Sequence, residues 1–216
     1  MPILSPADYR TMPWKNGLGI THEIAALRGE EDLRSGGFTW RLSIAEVSAS
    51  APFSPFPGCD RIIVLLHGDG MLLHSGEHGS HRLDQPLRPY AFSGDWSTDG
   101  TLLGGPCRDF NVMVDRRRMK ATVQVQRTGS QSQRIAVAGP TLALYAAEGD
   151  VRIDRDPSAD PIAAAPEPCT IPVGHTLLWT GPSGLTGPAS FVLSATADAG
   201  AALLVWLTPR PASQTA

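Results

Sequence analysis

Arg61 heads the run Arg61-Ile62-Ile63-Val64-Leu65-Leu66, five apolar residues behind one permanent cation. A guanidinium beside such a strand must be paired or must serve a ligand, because burying a lone charge is costly. Its planar fork matches a carboxylate. Two uses are therefore open: an ion pair with Asp60 or Asp109, or capture of a small acid. Other groups occur two apart, the spacing that puts side chains on one face of a strand. Arg41 and Ser43 add a cation and a hydroxyl, and Asp109 and Asn111 add acceptor and donor capacity. Thr21 and Glu23 share a face, and Glu23 would orient a cation or act as a base. The loop Trp14-Lys15-Asn16-Gly17 carries a ring, a cation and an amide, as recognition loops do; Trp14 would otherwise plug one end of a barrel. With Trp40, the candidate ligand-binding set is Trp14, Lys15, Asn16, Thr21, Glu23, Trp40, Arg41, Ser43, Arg61, Asp109 and Asn111.

The histidines suggest less. His74, His78 and His81 fall in a Gly- and Ser-rich loop without the tight strand spacing of a metal cluster. His67 stands beside a turn, and His22 next to Glu23 faces the opposite way in a strand. Three widely separated cysteines, Cys59, Cys107 and Cys169, offer neither a disulfide framework nor a zinc spacing. They fit a reducing cytoplasm. No cofactor, metal or catalytic residue is expected.

The elements that must hold these groups are strands. Gly (22) and Pro (19) make up about a fifth of the 216 residues, which favours short strands and turns over long helices. Phe38 to Val47 alternates, with Phe38, Trp40, Leu42 and Ile44 on one face and Thr39, Arg41 and Ser43 on the other. Ile62–Leu66 reads as a strand buried on both faces. Gly68-Asp69-Gly70 then predicts a hairpin into Met71-Leu72-Leu73. Thr122 to Gln126 alternates again, and Ala7 to Tyr9, after Ser5-Pro6, gives the one helical turn. The stretch around Gly68-Asp69 is echoed by Gly149-Asp150, and that around Gly94 by Gly174, at offsets of about 80 residues. Two tandem β-barrels follow, at 1–118 and 119–216, with 156–168 a Pro- and Ala-rich loop in the second.

A net charge of −3 leaves no electrostatic footprint for nucleic acid, so the basic run Arg116-Arg117-Arg118 reads as a solvated turn. No apolar run reaches a membrane span, and the N-terminus has no basic-then-apolar leader pattern. The expected partner is a small carboxylate, without nucleic acid or membrane; a homodimer is compatible with the sequence.

Two resemblances sharpen this. The metal-binding pattern of the cupins, His-x-His, four residues, Glu, six residues, Gly, falls on Ser54, Phe56, Arg61 and Gly68. Its second motif, Pro-x-Gly-x-x-His, falls on Phe92, Gly94 and Ser97. The spacing survives without the ligands, since Phe offers no lone pair and Arg repels a metal. Over almost the whole chain, four motifs resemble the HutD/Ves family: Met12 to Ala25 (MPWKNGLGITHEIA), Trp40-Arg41-Leu42-Ser43, Phe53 to Arg61 (FSPFPGCDR) and Arg108 to Met113 (RDFNVM). Leu18 stands where that family often has Gly. The resemblance implies an all-β fold, a cupin-type double-stranded β-helix (jelly roll, RmlC-like) in two tandem barrels, a bicupin. It also implies an association with histidine utilisation, with no established enzymatic activity. The expected function is a metal-free cytoplasmic module with a regulatory role, holding a ligand of urocanate or formylglutamate type. The alternative is a metal-independent isomerase- or epimerase-like enzyme using His22 or His67 as base. A barrel closed by Phe56 and Trp40 is the third reading.

Overall fold

The computed structural model describes residues 1–30, 32, 37–129, 131–159, 165–181, 189–197 and 199–211. Among these, strands dominate, and they fall into two compact units, each with two sheets. The N-terminal unit holds Tyr9–Ala121 and the residues from Pro209; the C-terminal unit holds Met1–Asp8 and Thr122–Thr208. The chain crosses between units at Ala121/Thr122, with Met1–Asp8 grouped in the later unit and the residues from Pro209 in the earlier one.

In chain order, β1 (Ile3–Leu4) belongs to the C-terminal unit. The N-terminal unit then builds β2 (Arg10–Pro13), β3 (Gly19–Leu27), β4 (Trp40–Val47), β5 (Ala51–Pro52) and β6 (Cys59–His67). It continues with β7 (Met71–His74), β8 (Ser80–Leu83), β9 (Pro89–Ser93), β10 (Asp99–Leu102) and β11 (Cys107–Asp115). Its sheets run β2-β3-β4-β11-β6-β9 and β5-β10-β7-β8. The strand β12 (Met119–Thr128) leads into the C-terminal unit, with β13 (Gln133–Ala136), β14 (Thr141–Glu148), β15 (Val151–Arg155) and β16 (Cys169–Ile171). The last three are β17 (Thr176–Thr180), β18 (Ser190–Ala195) and β19 (Gly200–Pro209). Its sheets run β1-β17-β14-β19-β12 and β13-β18-β15-β16. The short helical turn after Ser5 is a 3₁₀ turn at Pro6–Asp8, capped by Asp8, which accepts from Ser5 N at 2.8 Å and Ser5 Oγ at 2.7 Å.

Two expectations about turns change. The segment after β6 is not a hairpin: β6 pairs with β9 and β11, whereas β7 pairs with β8 and β10 in the other sheet. Gly68 and Gly70, at φ +93° and +80°, carry the chain around that corner. A Cβ on Gly70 would sit 1.9 Å from the Leu83 carbonyl oxygen, so the corner is closed to any side chain. The second correction concerns the repeat. Gly149 is the counterpart of Gly68, each ending a long central strand at positive φ. Gly174 is not the counterpart of Gly94. Gly174 N donates to Ala146 O, and the matching bond in the other unit runs from Leu87 N to Leu65 O. Leu87 is the one described non-glycine residue at positive φ (60°). Its buried side chain offsets a strain that Gly174 avoids. The loop at 156–168 lies partly outside the described residues.

Each unit has its own apolar interior. Ile63, Leu65, Met71, Leu73, Leu83 and Phe92 centre the N-terminal one. Leu142, Leu144, Ile153, Phe191, Leu204 and Trp206 centre the C-terminal one. On β4, Leu42 and Ile44 are buried on one face, as the alternation predicted.

Candidate ligand-binding site

The N-terminal unit holds a cavity of about 540 Å³, lined from β2, β3, β4, β5, β6, β7, β10 and β11 and from the loops beside them. β4 turns Arg41, Ser43, Ala45 and Val47 into it, the face opposite Leu42 and Ile44. β6 contributes Arg61, and β11 contributes Asp109, Asn111 and Met113. Register brings these together, since Ser43, Asn111 and Ile63 stand side by side across β4, β11 and β6.

Arg61 is buried, with 7% of its surface exposed. Its guanidinium lies over the rings of Phe92, Phe53 and Phe56, at 4.8, 5.1 and 5.6 Å. Each such contact is worth about 0.5–2 kcal/mol. Its one hydrogen bond among the described residues runs from Nη2 to Asn111 Oδ1 at 3.2 Å, and Nε has no partner. Among the described residues no carboxylate reaches ion-pair distance, so neither sequence-based pairing holds. Asp60 points the other way and accepts from Arg116 Nε at 2.9 Å. Arg116 also donates to Ser93 Oγ, to Cys59 O and to Asp95, which fixes the start of β6 from outside. Burial pulls the Arg61 guanidinium down to about 10, against the opposing field of Asp109.

Asp109 is 1% exposed. Asn111 Nδ2 donates to its Oδ1, and Oδ2 has no partner. Burial pushes its carboxyl up to about 7, despite the Asn111 bond and the Arg61 charge. Asn111 thus bridges the two charged groups, giving its amide to one and its carbonyl to the other.

Arg41 is set differently. Its Nε lies 2.9 Å from Glu23 Oε2, near enough for an ion pair but not aligned for a hydrogen bond. Glu23 also accepts from Arg28 Nη2 at 2.7 Å. Glu23 is therefore behind the wall, holding Arg41, and does not line the cavity. Trp40 does not line it either, because it shares the Leu42 face of β4. Trp14 does: its Nε1 donates to Thr21 Oγ1 at 2.8 Å. A Cβ on Gly19 would sit 2.9 Å from the Trp14 ring and 2.6 Å from the Glu46 carbonyl oxygen, so the bare glycine makes that seat. Lys15 and Asn16 are exposed at the mouth, and Asn16 Oδ1 accepts from Leu18 N at 3.0 Å.

Nine of the eleven sequence-derived residues thus line one cavity. The sequence missed Phe53 and, beside the cavity, Phe92. Phe92 stands opposite Arg61 in register, and an aromatic facing an interior cation is the signal that could have found it. Ser54 and Phe56 line the cavity, but Ser97 is exposed, and the β10 residue at the wall is Gly100. No histidine is among the lining residues: His22 faces Thr11 and Glu46, and His67 is exposed. The described residues contain no group of three or more His, Cys, Asp or Glu placed to hold a metal. The cavity also removes the closed-barrel reading, in which Trp40 and Phe56 fill the space.

An all-β chain of two double-sheeted units, with a ligand-sized cavity in one, is a protein of the cupin fold. A cupin 2 conserved barrel domain protein from Leptotrichia buccalis superposes with a TM-score of 0.51 over 92% of this chain and 96% of its own, at 7% identity. The HutD family model matches residues 6–194, and the chain belongs to the HutD family. HutD from Pseudomonas fluorescens SBW25, whose structure is described as a formate condition, is 30% identical with a TM-score of 0.77, covering 97% of this chain and 99% of that one. A Pseudomonas putida relative, an uncharacterized 21.2 kDa protein in the hutC 3′ region, is 40% identical over 71% of this chain and 77% of its own. Among the described residues no helix is long and apolar enough to cross a membrane.

Proposed function

We propose that the cavity of the N-terminal unit binds a small carboxylate and that the protein is a cytoplasmic binding module with a regulatory role in histidine utilisation. The observation that carries this is Arg61: a buried cation in a box of three rings, with an unpartnered Nε and no carboxylate of the described residues at ion-pair distance. A desolvated charge in that state is costly, and a ligand carboxylate supplies both the missing charge and the missing acceptors. The apolar lining from Phe53, Phe56, Met71 and Met113 suits a short planar or aliphatic body. The buried Arg61 and the hutC neighbourhood of the Pseudomonas putida relative support the ligand class and the pathway. Acids of the urocanate or formylglutamate type fit both.

Thermal unfolding with acids and with their amides, at matched ionic strength, tests the reading. At about 100 times the dissociation constant, mass action adds roughly 2.7 kcal/mol. For a chain of this size that raises Tm by roughly 5–10 °C. Equal shifts from acid and amide, or no shift from either, would reject it.

A further inference from the structure

Asp109 has no use in the fold that accounts for its form. It is the most deeply buried charged residue of the wall, yet half its carboxylate is unsatisfied. Oδ1 is taken by Asn111, while Oδ2 has no partner. A structural carboxylate in such a place normally finds a cation or two donors. The elements around it supply neither. β4 brings Ala45 opposite it and Ser43 nearby, β7 brings Met71 and β10 brings Gly100, all without charge. On its own strand Cys107, held up at about 12 by burial and by Asp109 itself, stays a neutral thiol. From β6, Arg61 acts through its field and through Asn111, not by contact. Arg41 and Lys15 line the same cavity, but Arg41 is engaged by Glu23 and Lys15 is at the mouth.

A carboxylate seated at Arg61 would enter within a few ångströms of Asp109, since the one side chain of Asn111 is bonded to both. Two carboxylates that share one site do not both stay ionised. We propose that Asp109 is a ligand-binding residue that meets the anion in its neutral form, so that each small carboxylate taken up at Arg61 is accompanied by one proton. This rests on the carboxylate reading of the cavity and adds a partner and a selectivity to it. The proton comes from solvent and sits on the free Oδ2. The resulting O–H donates to a ligand oxygen, while Oδ1 keeps its bond from Asn111. The filled site then holds one cation, one anion and one neutral carboxyl. With the proton absent it would hold two anions against one buried cation. The same arrangement rejects acids carrying a positive amine beside the carboxylate, because Asp109 offers them an O–H where they need an acceptor. Deaminated or N-acylated acids are the class it favours.

Calorimetric titration of the full-length protein with formate, in two buffers of different ionisation enthalpy, measures the proton directly. Near pH 8, where free Asp109 is ionised, uptake of close to one proton per formate is expected, falling towards none near pH 5. Above about pH 7.5, affinity should drop up to about tenfold per pH unit. In Asp109→Asn, buffer dependence should vanish and affinity should become flat with pH. Acetate should bind at least about tenfold more tightly than glycine, its zwitterionic counterpart. Formate binding without proton uptake, or glycine binding as tightly as acetate, overturns the assignment of Asp109 alone. Absence of binding by formate and acetate overturns the carboxylate reading as well. The wild-type titrations decide the matter even if the variant does not fold.

Discussion

Arg61 and Leu142 occupy equivalent places in the two units. Each lies near the start of a central strand that ends at a positive-φ glycine. Arg61 stands across from Met113 of β11, and Leu142 across from Trp206 of β19. Two residues on, Ile63 faces Asn111 where Leu144 faces Leu204, and then Leu65 faces Asp109 where Ala146 faces Ala202. The pairings coincide and the chemistry diverges. In the C-terminal unit Leu142, Ala202 and Leu204 are fully buried in an apolar cluster. In the N-terminal unit the same three places hold a cation, a carboxyl and an amide around a cavity. In one barrel apolar packing at these places stabilises the unit. Its twin gives up that stabilisation for a set of polar groups that only a ligand completes.

The comparison breaks most visibly if the filled barrel is given the open barrel's residue. Leu204→Asn puts an amide with no partner where Asn111 has two. The loss of apolar contacts and the buried polar group should together cost about 3–5 kcal/mol. In thermal unfolding that is a fall of roughly 6–20 °C for a chain of this size. A loss below about 1 kcal/mol would mean that the C-terminal interior is as yielding as the cavity.

The reverse exchange, Arg61→Leu, should leave the fold standing, because no carboxylate depends on Arg61 for an ion pair and Asp109 can protonate. Removing the cation should weaken carboxylate binding by at least about 100-fold, or about 2.7 kcal/mol. Retained affinity in a folded Arg61→Leu protein would remove Arg61 from the site.

A smaller effect separates the units by pH. The carboxyl of Asp109 is raised from its ordinary 3.8 to about 7 in the folded state. A raised acid favours the folded state fully below the unfolded value, and this contribution is lost as pH rises towards the folded value. Wild-type stability, relative to Asp109→Asn, should therefore fall by on the order of 2 kcal/mol between about pH 5 and pH 7, and level off above. Denaturant midpoints of the two proteins across that range measure it. A constant difference would show that Asp109 titrates alike in folded and unfolded chains.

Much of this was legible in the sequence, for physical reasons that also mark its limits. Period-two spacing separated Arg41 and Ser43 from Leu42 and Ile44, and the polar pair does line the cavity. Alternation cannot say which sheet covers which face, so Trp40 was grouped with residues it turns away from. The same rule assigns Asp60 and Arg61 to opposite sides. The Asp60 pairing failed on that rule, and Arg116 was invisible as its partner because the contact spans 56 residues of sequence. Glu23 was recognised as a group that orients a cation, but its depth behind Arg41 depends on the register of β3 against β4. Phe53, Phe92 and Gly100 carry no chemical signature of a site until the strands that bear them are brought together. Gly94 and Gly174 matched in letters, while the backbone pairs Gly174 with Leu87, a match that no residue type announces.

The exchange of chain ends between the units has a consequence for biosynthesis. β1 is made well before its partner, since Ile3 pairs with Leu177, about 170 residues later. At roughly 5–20 residues per second, that strand waits on the order of 10–35 s for its neighbour. Meanwhile β2 to β11 are all available, so the cavity-bearing unit can assemble while its twin is still being translated. One of its own ties comes from beyond β19, where Arg210 donates to the Met119 carbonyl. The ligand-binding half can therefore form before its twin, while its tie through Arg210 has to wait until β19 has been made.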